Sequence, residues 1–268
     1  MPVANVRTLA PSRNPILTML KQNLLIGGPI LALPTQEGAG ATVSDISGCG
    51  NHGTITGATW VQLPSGLWVL HYNGTSHKVD IPYHDGLNQT IFSFCCWAIF
   101  DSFAAAYDML AQQLGSWLFC TSQAGDGKGF LWLNPMCAEH HAYHHTIQSD
   151  TAVGILSTGV PYFVAFTWDS VNKDTIPTNT KVLVNGVDVT TIRLLTHVGF
   201  DIAAAIITLG RNGNNDRHVG QMWGHRYFPR LVSDAEWLEI YNREKGFMSI
   251  AGGIPVRLSQ QRQLAVIR

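Results

Sequence analysis

Charged side chains are scarce in this sequence. Asp, Glu, Lys and Arg make up 13% of its 268 residues, whereas hydrophobic residues make up 46%. This balance argues against a disordered chain and favours one globular domain with a large core. The net charge of −1 also argues against a nucleic-acid-binding protein. Because exposed surface ordinarily carries charge, the scarcity further indicates that a partner covers part of the surface.

Cysteine is too rare and too irregularly spaced to form a disulfide framework. The five residues are Cys49, Cys95, Cys96, Cys120 and Cys137, an odd number without a repeated spacing. Cys95 and Cys96 are adjacent in a predicted strand, so they should point to opposite faces of a sheet. We interpret Cys95 and Cys96 as small buried hydrophobic residues.

No hydrophobic run is long enough to span a bilayer. The strongest candidate, residues 24–33, is interrupted by Gly27-Gly28-Pro29 and follows more than twenty residues of different character. We expect it to begin the first strand of a domain rather than to form the core of a cleaved signal. The prediction is therefore a protein without a membrane segment or an export signal.

Paired carboxylates of the kind that hydrolyse glycosides are also missing. Glycosidases need an acid and a nucleophile or base across a cleft. Only one of the five glutamates, Glu139, lies near a predicted strand, and no carboxylate stands two or four residues from it. A nucleophile elbow, a P-loop and a dinucleotide-binding motif are absent as well. We predict that the protein is not an enzyme and has no catalytic residue.

What the sequence does contain is a series of short apolar strands separated by turns. Ile91 to Phe100 is apolar on both faces, which predicts a central strand of a sandwich. Asn185-Gly186 lies between residues 181–184 and 187–189 and predicts a two-residue hairpin. Asn73-Gly74, between residues 67–72 and 78–81, predicts a second hairpin.

One helix is predicted, near the end of the chain. Ser233 and Glu236 have the spacing of a capping box, and Trp237, Ile240 and Tyr241 recur at helical spacing. Gly246 can end this helix. Many short strands and one late helix favour a sandwich over alternating α/β structure.

An ordered series of short motifs runs from Leu31 to Asn242. The motifs are Leu31-Ala-Leu-Pro-Thr-Gln-Glu37, Asp45, Ser47-Gly-Cys-Gly-Asn51-His52-Gly53, Tyr72-Asn73-Gly74-Thr75, Val79-Asp80-Ile81-Pro82, Phe92-Ser-Phe-Cys-Cys-Trp97, Phe166-Thr-Trp168-Asp169, Val182-Leu-Val-Asn185-Gly186-Val187, Leu209-Gly-Arg-Asn212-Gly and Leu231-Val-Ser233-Asp234-Ala235-Glu236. In this order they resemble the laminin-G and concanavalin A-like jelly rolls, a group that includes the pentraxins.

The resemblance implies an all-β, antiparallel two-sheet jelly-roll sandwich with one short C-terminal helix and extended terminal arms. We divide the chain into an N-terminal arm (1–23), a laminin-G-like jelly-roll domain (24–246) and a basic C-terminal tail (247–268). The Glu-x-Asp-x-x-Glu type motif of the glucanase branch of this group is absent.

Relatives of this type often bind Ca²⁺ at one rim through carboxylate and carbonyl oxygens. The candidate oxygens belong to Asp45, Asp80, Asn212, Asn214, Asn215 and Asp216. Asp45 has a simpler role, since it can organise the glycine-rich turn that follows it. The family's late Gly-x-Ile-Asp-Asp-Val-Arg strand is here Gly220-Gln-Met-Trp-Gly-His225-Arg226, without either acid. We therefore expect no cofactor, with Ca²⁺ as the alternative.

Sugar binding requires exposed aromatic rings beside amide groups on rim loops. Trp60, Trp117, Trp132 and Trp223 are the candidate rings, although core packing explains tryptophans in a sandwich equally well. The loop from Arg211 to Arg217 is the candidate rim. The predicted ligand-binding residues are Asn212, Asn214, Asn215, Asp216, Arg217 and Trp223.

A histidine cluster follows Glu139. In a strand or a helix, His140, His141, His144 and His145 would share faces in pairs and could bind Zn²⁺ or a similar metal. A pH-responsive patch is a second interpretation, since clustered imidazoles repel one another once protonated. The simplest alternative is a polar, partly exposed segment.

Basic residues are concentrated at the two ends of the chain. Arg7, Arg13 and Lys21 lie in residues 1–23, and Arg257, Arg262 and Arg268 lie in residues 254–268. Neither end contains an acid, so the rest of the chain has eleven basic and eighteen acidic residues. We predict that the ends are arms that dock on the acidic body of a neighbouring subunit, with solvated tails as the alternative.

Two functions remain open at this stage. The first is a non-catalytic structural or adhesive module on a bacteriophage virion, as a capsid decoration or fibre- or tail-associated protein. It would assemble in the host cytoplasm, self-associate and contact other virion subunits. The alternative is an extracellular carbohydrate-binding lectin or adhesin that binds a cell-surface glycan. Both interpretations exclude nucleic acid and membrane as partners.

Overall fold

The computed structural model describes residues 28–103, 107–123, 128–135, 145–149, 154–169, 179–195, 204–211 and 217–248. Within these ranges, two antiparallel sheets form a sandwich and one α-helix packs on the outside. This architecture confirms the predicted all-β, two-sheet sandwich with a short C-terminal helix. The predicted N-terminal arm (1–23) and residues 249–268 of the predicted tail lie outside the described residues.

The first sheet has eight strands. They are β1 (Leu31–Leu33), β4 (Thr59–Gln62), β5 (Trp68–Asn73), β7 (Ile91–Phe100), β12 (Pro161–Asp169), β13 (Lys181–Val184), β14 (Val187–Asp188) and β17 (Val219–Phe228). Their order is β14-β13-β12-β7-β17-β5-β4, and β1 pairs with the C-terminal end of β17.

The second sheet has nine strands. They are β2 (Thr42–Val43), β3 (Gly53–Thr56), β6 (Lys78–Ile81), β8 (Tyr107–Gln113), β9 (Trp117–Gln123), β10 (Gly129–Pro135), β11 (His145–Gln148), β15 (Ile192–Leu195) and β16 (Ile207–Leu209). Their order is β15-β11-β10-β9-β8-β16-β6-β3-β2.

Strand β7 lies in the middle of the eight-stranded sheet, between β12 and β17. Its side chains at Phe92, Phe94 and Cys96 belong to the main core between the sheets. Those at Cys95 and Trp97 belong to a second core on the outer side, beneath the helix. The prediction of a strand buried on both faces, with the two cysteines on opposite sides, is confirmed.

The two predicted hairpins have different outcomes. Asn185 and Gly186 connect β13 to β14 and both have positive φ, 54° and 79°, as the expected type I′ turn requires. The prediction of a hairpin at Asn73-Gly74 is wrong, because β5 belongs to the eight-stranded sheet and β6 to the nine-stranded sheet. Thr75 donates both its N–H and its hydroxyl to Asn73 Oδ1, which closes a turn that carries the chain between the sheets.

Helix α1 (Asp234–Glu244) begins with the predicted capping box, in which Ser233 and Glu236 each bond the other's backbone N–H. A 3-10 turn, Lys245–Met248, then continues through Gly246. Phe247 is buried against Ala32 and Leu67, so the folded part includes residues that we assigned to the tail. Within the described residues, no helix combines the length and hydropathy needed to cross a membrane.

Candidate functional site

A row of five polar side chains, which ends at Leu118, crosses the outer face of the nine-stranded sheet. Strand pairing places the following residues side by side: Thr42 (β2), Thr54 (β3), Asp80 (β6), Thr208 (β16), Gln112 (β8) and Leu118 (β9). We call them the cross-strand row. It crosses six strands, which at about 4.8 Å per strand corresponds to roughly 24 Å. Thr42 and Thr54 are exposed, whereas Thr208 and Gln112 are 7% and 8% exposed.

Asp80 and Lys78 neutralise each other at the centre of this face. Their side chains form an ion pair with an Nζ–Oδ2 distance of 2.6 Å, and both are partly exposed. The hydroxyl of Thr208 donates to the other carboxylate oxygen at 3.0 Å. Asp80, one of the candidate Ca²⁺ ligands, is therefore bonded through both oxygens. Thr56 pairs with Lys78 and adds another exposed hydroxyl.

An aromatic platform lies beside the cross-strand row. Tyr107 and Trp132 are half-buried, and their ring centroids lie 4.5 Å apart. They pack on a small apolar cluster of Met109, Leu118 and Cys120, and Leu118 also ends the cross-strand row. The indole N–H of Trp132 is buried and has no hydrogen-bond partner among the described residues. One face of the sheet thus combines aromatic rings with hydroxyl, amide and charged groups.

The eight-stranded sheet carries a smaller polar group on its own outer face. His71 Nε2 lies 3.0 Å from Asp101 Oδ2, and the Gln221 amide donates to Asp101 Oδ1 at 3.3 Å. His71 and Gln221 are direct neighbours on β5 and β17. With one imidazole and one carboxylate, this group offers fewer ligands than a protein zinc site normally needs.

The predicted rim at Arg211–Arg217 is described only at its ends. The backbones of Arg211 and Arg217 form an antiparallel β-bridge across the loop. Arg217 Nη1 donates to the carbonyl of Gly74 at 3.2 Å. The loop residues Asn212, Asn214, Asn215 and Asp216 lie outside the described residues, so their part of the prediction is untested.

Trp223 is not at the rim, contrary to the prediction. It is fully buried and stacks on Trp97 beneath the helix, with a centroid distance of 5.9 Å. Of the other candidate rings, Trp117 is also buried, whereas Trp60 and Trp132 are half-buried. Trp60 donates its indole N–H to the carbonyl of Gly40. Trp132 is therefore the candidate ring that shares a face with the cross-strand row.

The histidine cluster falls largely outside the described residues, which exclude His140, His141 and His144. His145 begins β11, where its backbone pairs with that of Leu195. Within the described ranges, no three His, Cys, Asp or Glu side chains come together as metal ligands. The metal prediction for the histidines stays a prediction.

Asp45 has the structural role that the sequence favoured over Ca²⁺ binding. Its carboxylate accepts the backbone N–H groups of Ala32, Ser47 and Asn51, each at 2.9 Å. It also accepts the Ser47 hydroxyl at 2.7 Å. These bonds fix the glycine-rich turn against β1.

The described glutamates are all engaged in structural contacts. Glu37 accepts the N–H of Ser44, and Glu236 caps helix α1 and pairs with Arg230. Glu236 has a pKa lowered to about 2, first by its hydrogen bond with Arg230.

The remaining two described glutamates belong to helix α1. Glu239 pairs with Arg243, and Glu244 pairs with Arg226. Glu139 lies outside the described residues.

The basic arm residues Arg7, Arg13, Lys21, Arg257, Arg262 and Arg268 also lie outside the described residues.

Sequence comparisons with protein-family models and with curated proteins find no match. Solved structures do match. One is domain 4 of AbnA, an extracellular arabinanase from Geobacillus stearothermophilus, in complex with arabinotriose. It is 18% identical, with 79% of this chain and 99% of that chain covered and a TM-score of 0.53.

Toxin binding domains are also similar in structure. The binding domain of botulinum neurotoxin DC, in complex with SialylT, is 14% identical, with 81% of this chain and 51% of that chain covered and a TM-score of 0.59. The binding domain of Paraclostridial Mosquitocidal Protein 1 is 11% identical, with coverages of 83% and 52% and a TM-score of 0.54. This chain spans about half the length of the toxin domains. At such low identities, the likeness establishes the β-sandwich fold.

Proposed function

We propose that this chain is a carbohydrate-binding module of the lectin type, with its binding face on the outside of the nine-stranded sheet. The observation that carries the proposal is the position of Trp132 and Tyr107 directly beside the cross-strand row. Sugar rings have apolar C–H faces and a hydroxyl perimeter. Aromatic rings with neighbouring hydroxyl, amide and carboxylate groups suit both parts.

The structural relatives support this choice between the two functions that the sequence left open. AbnA domain 4 and the botulinum neurotoxin DC binding domain are each described in complex with a saccharide. None of the structures reported above is a virion protein. The arms on which virion docking was predicted lie outside the described residues, so the virion-surface interpretation stays a prediction.

The proposal is tested by a glycan array followed by isothermal titration of the wild type and two variants. Trp132→Ala should weaken binding of the best array ligand about tenfold, since it removes a ring of the platform. The matched control is Trp60→Ala, which removes a half-buried ring from the other sheet. Equal affinity of Trp132→Ala and wild type, or no ligand on the array, would contradict the proposal. The melting temperature of each variant separates lost binding from lost folding.

A further inference from the structure

The charges on the binding face carry information about the class of saccharide. Lys78 and Asp80 are the charged residues among the described side chains at the outward positions of seven strands, β2, β3, β6, β16, β8, β9 and β10. The distance from Lys78 Nζ to Asp80 Oδ2 is 2.6 Å, so the electric fields of the two charges largely cancel at the distance of a ligand. The other polar groups there are neutral donors and acceptors such as Thr42, Thr54 and Thr56.

An acidic saccharide is recognised by unpaired cationic groups, most often by bidentate arginine. No arginine occupies those outward positions, and the one lysine is already bonded to a carboxylate. A sialic acid, uronic acid or sulfate placed here would lose water and gain no free cation. A neutral saccharide avoids this cost and can use the hydroxyls and the rings.

We infer that the outer face of the nine-stranded sheet selects neutral oligosaccharides and discriminates against sialylated, uronic and sulfated ones. This inference rests on the proposed function and adds the ligand class to it. The discriminating element is the Lys78–Asp80 pair. The neutral hydroxyls of the cross-strand row and the platform of Tyr107 and Trp132 provide the binding groups.

The direct test is an array that carries neutral arabino-, gluco- and galacto-oligosaccharides beside sialylated, uronic-acid and sulfated ones. The wild type should bind at least one neutral oligosaccharide and should bind its acidic counterpart at least about tenfold more weakly. Equal or tighter binding of acidic oligosaccharides would overturn the inference and leave the proposed function standing. Binding of none of the oligosaccharides would overturn both.

Two variants test whether the ion pair is responsible. Asp80→Asn leaves the ammonium group of Lys78 uncompensated and should raise affinity for acidic oligosaccharides by about two- to fivefold. The gain should shrink at high salt, because the new charge is exposed to solvent. The double variant Lys78→Gln, Asp80→Asn is neutral again and should lose the gain. If Asp80→Asn binds acidic oligosaccharides no better than the wild type, the ion pair is not the discriminating element.

An additional variant probes the neutral part of the face. Thr54 is exposed, and Thr54→Val replaces its hydroxyl with a methyl group at nearly constant volume. It should weaken binding of the neutral oligosaccharide by about two- to tenfold, with an unchanged melting temperature. Unaltered affinity would place the ligand away from the cross-strand row.

Discussion

Arg226 and Glu244 are joined by two parallel hydrogen bonds of 2.8 Å, and neither side chain is exposed to solvent. Trp97 adds a third bond by donating its indole N–H to Glu244 Oε2 at 2.8 Å. Arg226 comes from β17, Trp97 from β7 and Glu244 from the end of helix α1. The pair therefore fixes the helix to the two central strands of the eight-stranded sheet.

Glu244→Ala should strongly destabilise the fold, because it leaves a buried guanidinium without its partner. We expect a loss of about 3–5 kcal/mol in the free energy of unfolding, measured by urea denaturation. Glu239→Ala on the same helix is the control, since the Glu239–Arg243 pair is half-exposed and should contribute less than about 1 kcal/mol. Similar losses for both variants would contradict the assigned role of the buried pair.

Acid should destabilise the protein through two buried histidines. Burial lowers the pKa of His218 to about 4 and that of His225 to about 3, from an ordinary value of 6.5. As the pH falls below about 6.5, the histidines of the unfolded chain become protonated while those of the folded protein stay neutral. Proton binding therefore favours the unfolded chain, and the free energy of unfolding decreases. Each histidine should remove about 2 kcal/mol between pH 7.5 and 5.

A substitution at His225 tests this prediction, and His218 remains in place as the second buried ring. His218 packs against Tyr72 and Phe100, with Asp101 and His71 as the nearby ionisable groups. His225→Leu removes one titrating group and should flatten the pH dependence of the urea midpoint relative to wild type. An unchanged slope between pH 7.5 and 5 would show that His225 is not protonated on unfolding.

Gly186→Ala should destabilise the hairpin beside the helix. A Cβ at this position would lie 2.8 Å from Leu238 Cα and 2.9 Å from Trp237 O, and φ is +79°. We expect a loss of about 2–4 kcal/mol from the strained backbone and the clash together. Gly159→Ala shares the positive φ but meets nothing within 4 Å, so thermal melting should show a smaller loss, about 1 kcal/mol. If both variants have the same melting temperature, the close approach of helix α1 to the turn is not the reason that position 186 requires glycine.

Asp45→Ala should loosen the glycine-rich turn without involving a metal. The substitution leaves the N–H groups of Ala32 and Asn51 without their acceptor, and we expect a loss of about 2–4 kcal/mol. Ca²⁺ and EDTA should both leave the melting temperature of the wild type unchanged. A rise in melting temperature with Ca²⁺ that Asp45→Ala abolishes would show that this carboxylate binds the ion.

Features set by neighbouring residues were predictable from the sequence. The capping box at Ser233 and the hairpin at Asn185-Gly186 depend on side chains and φ values within a few positions, so local rules suffice. Strand β7 was identifiable because its apolar residues fill both faces. The β-sandwich fold was also recognisable from short motifs in order.

Features set by the choice of partner strand were not predictable. The apolar alternation around Asn73-Gly74 fits a hairpin and a crossing between sheets equally well. Trp223 was misplaced because helix α1 covers the outer face of the eight-stranded sheet and buries the Trp223 ring against Trp97, a long-range contact that no local pattern shows. The cross-strand row brings together residues from Thr42 to Thr208, which no local pattern can show.

The central claim concerns the outer face of the nine-stranded sheet, and the indole N–H signals of the tryptophans report on it most directly. In a 1H–15N NMR titration with the best neutral oligosaccharide, the Trp132 signal, assigned with Trp132→Phe, should shift progressively to saturation. The Trp97 signal should stay in place, because that N–H is bonded to Glu244 in the interior. Saturable binding that leaves Trp132 unmoved would contradict the account.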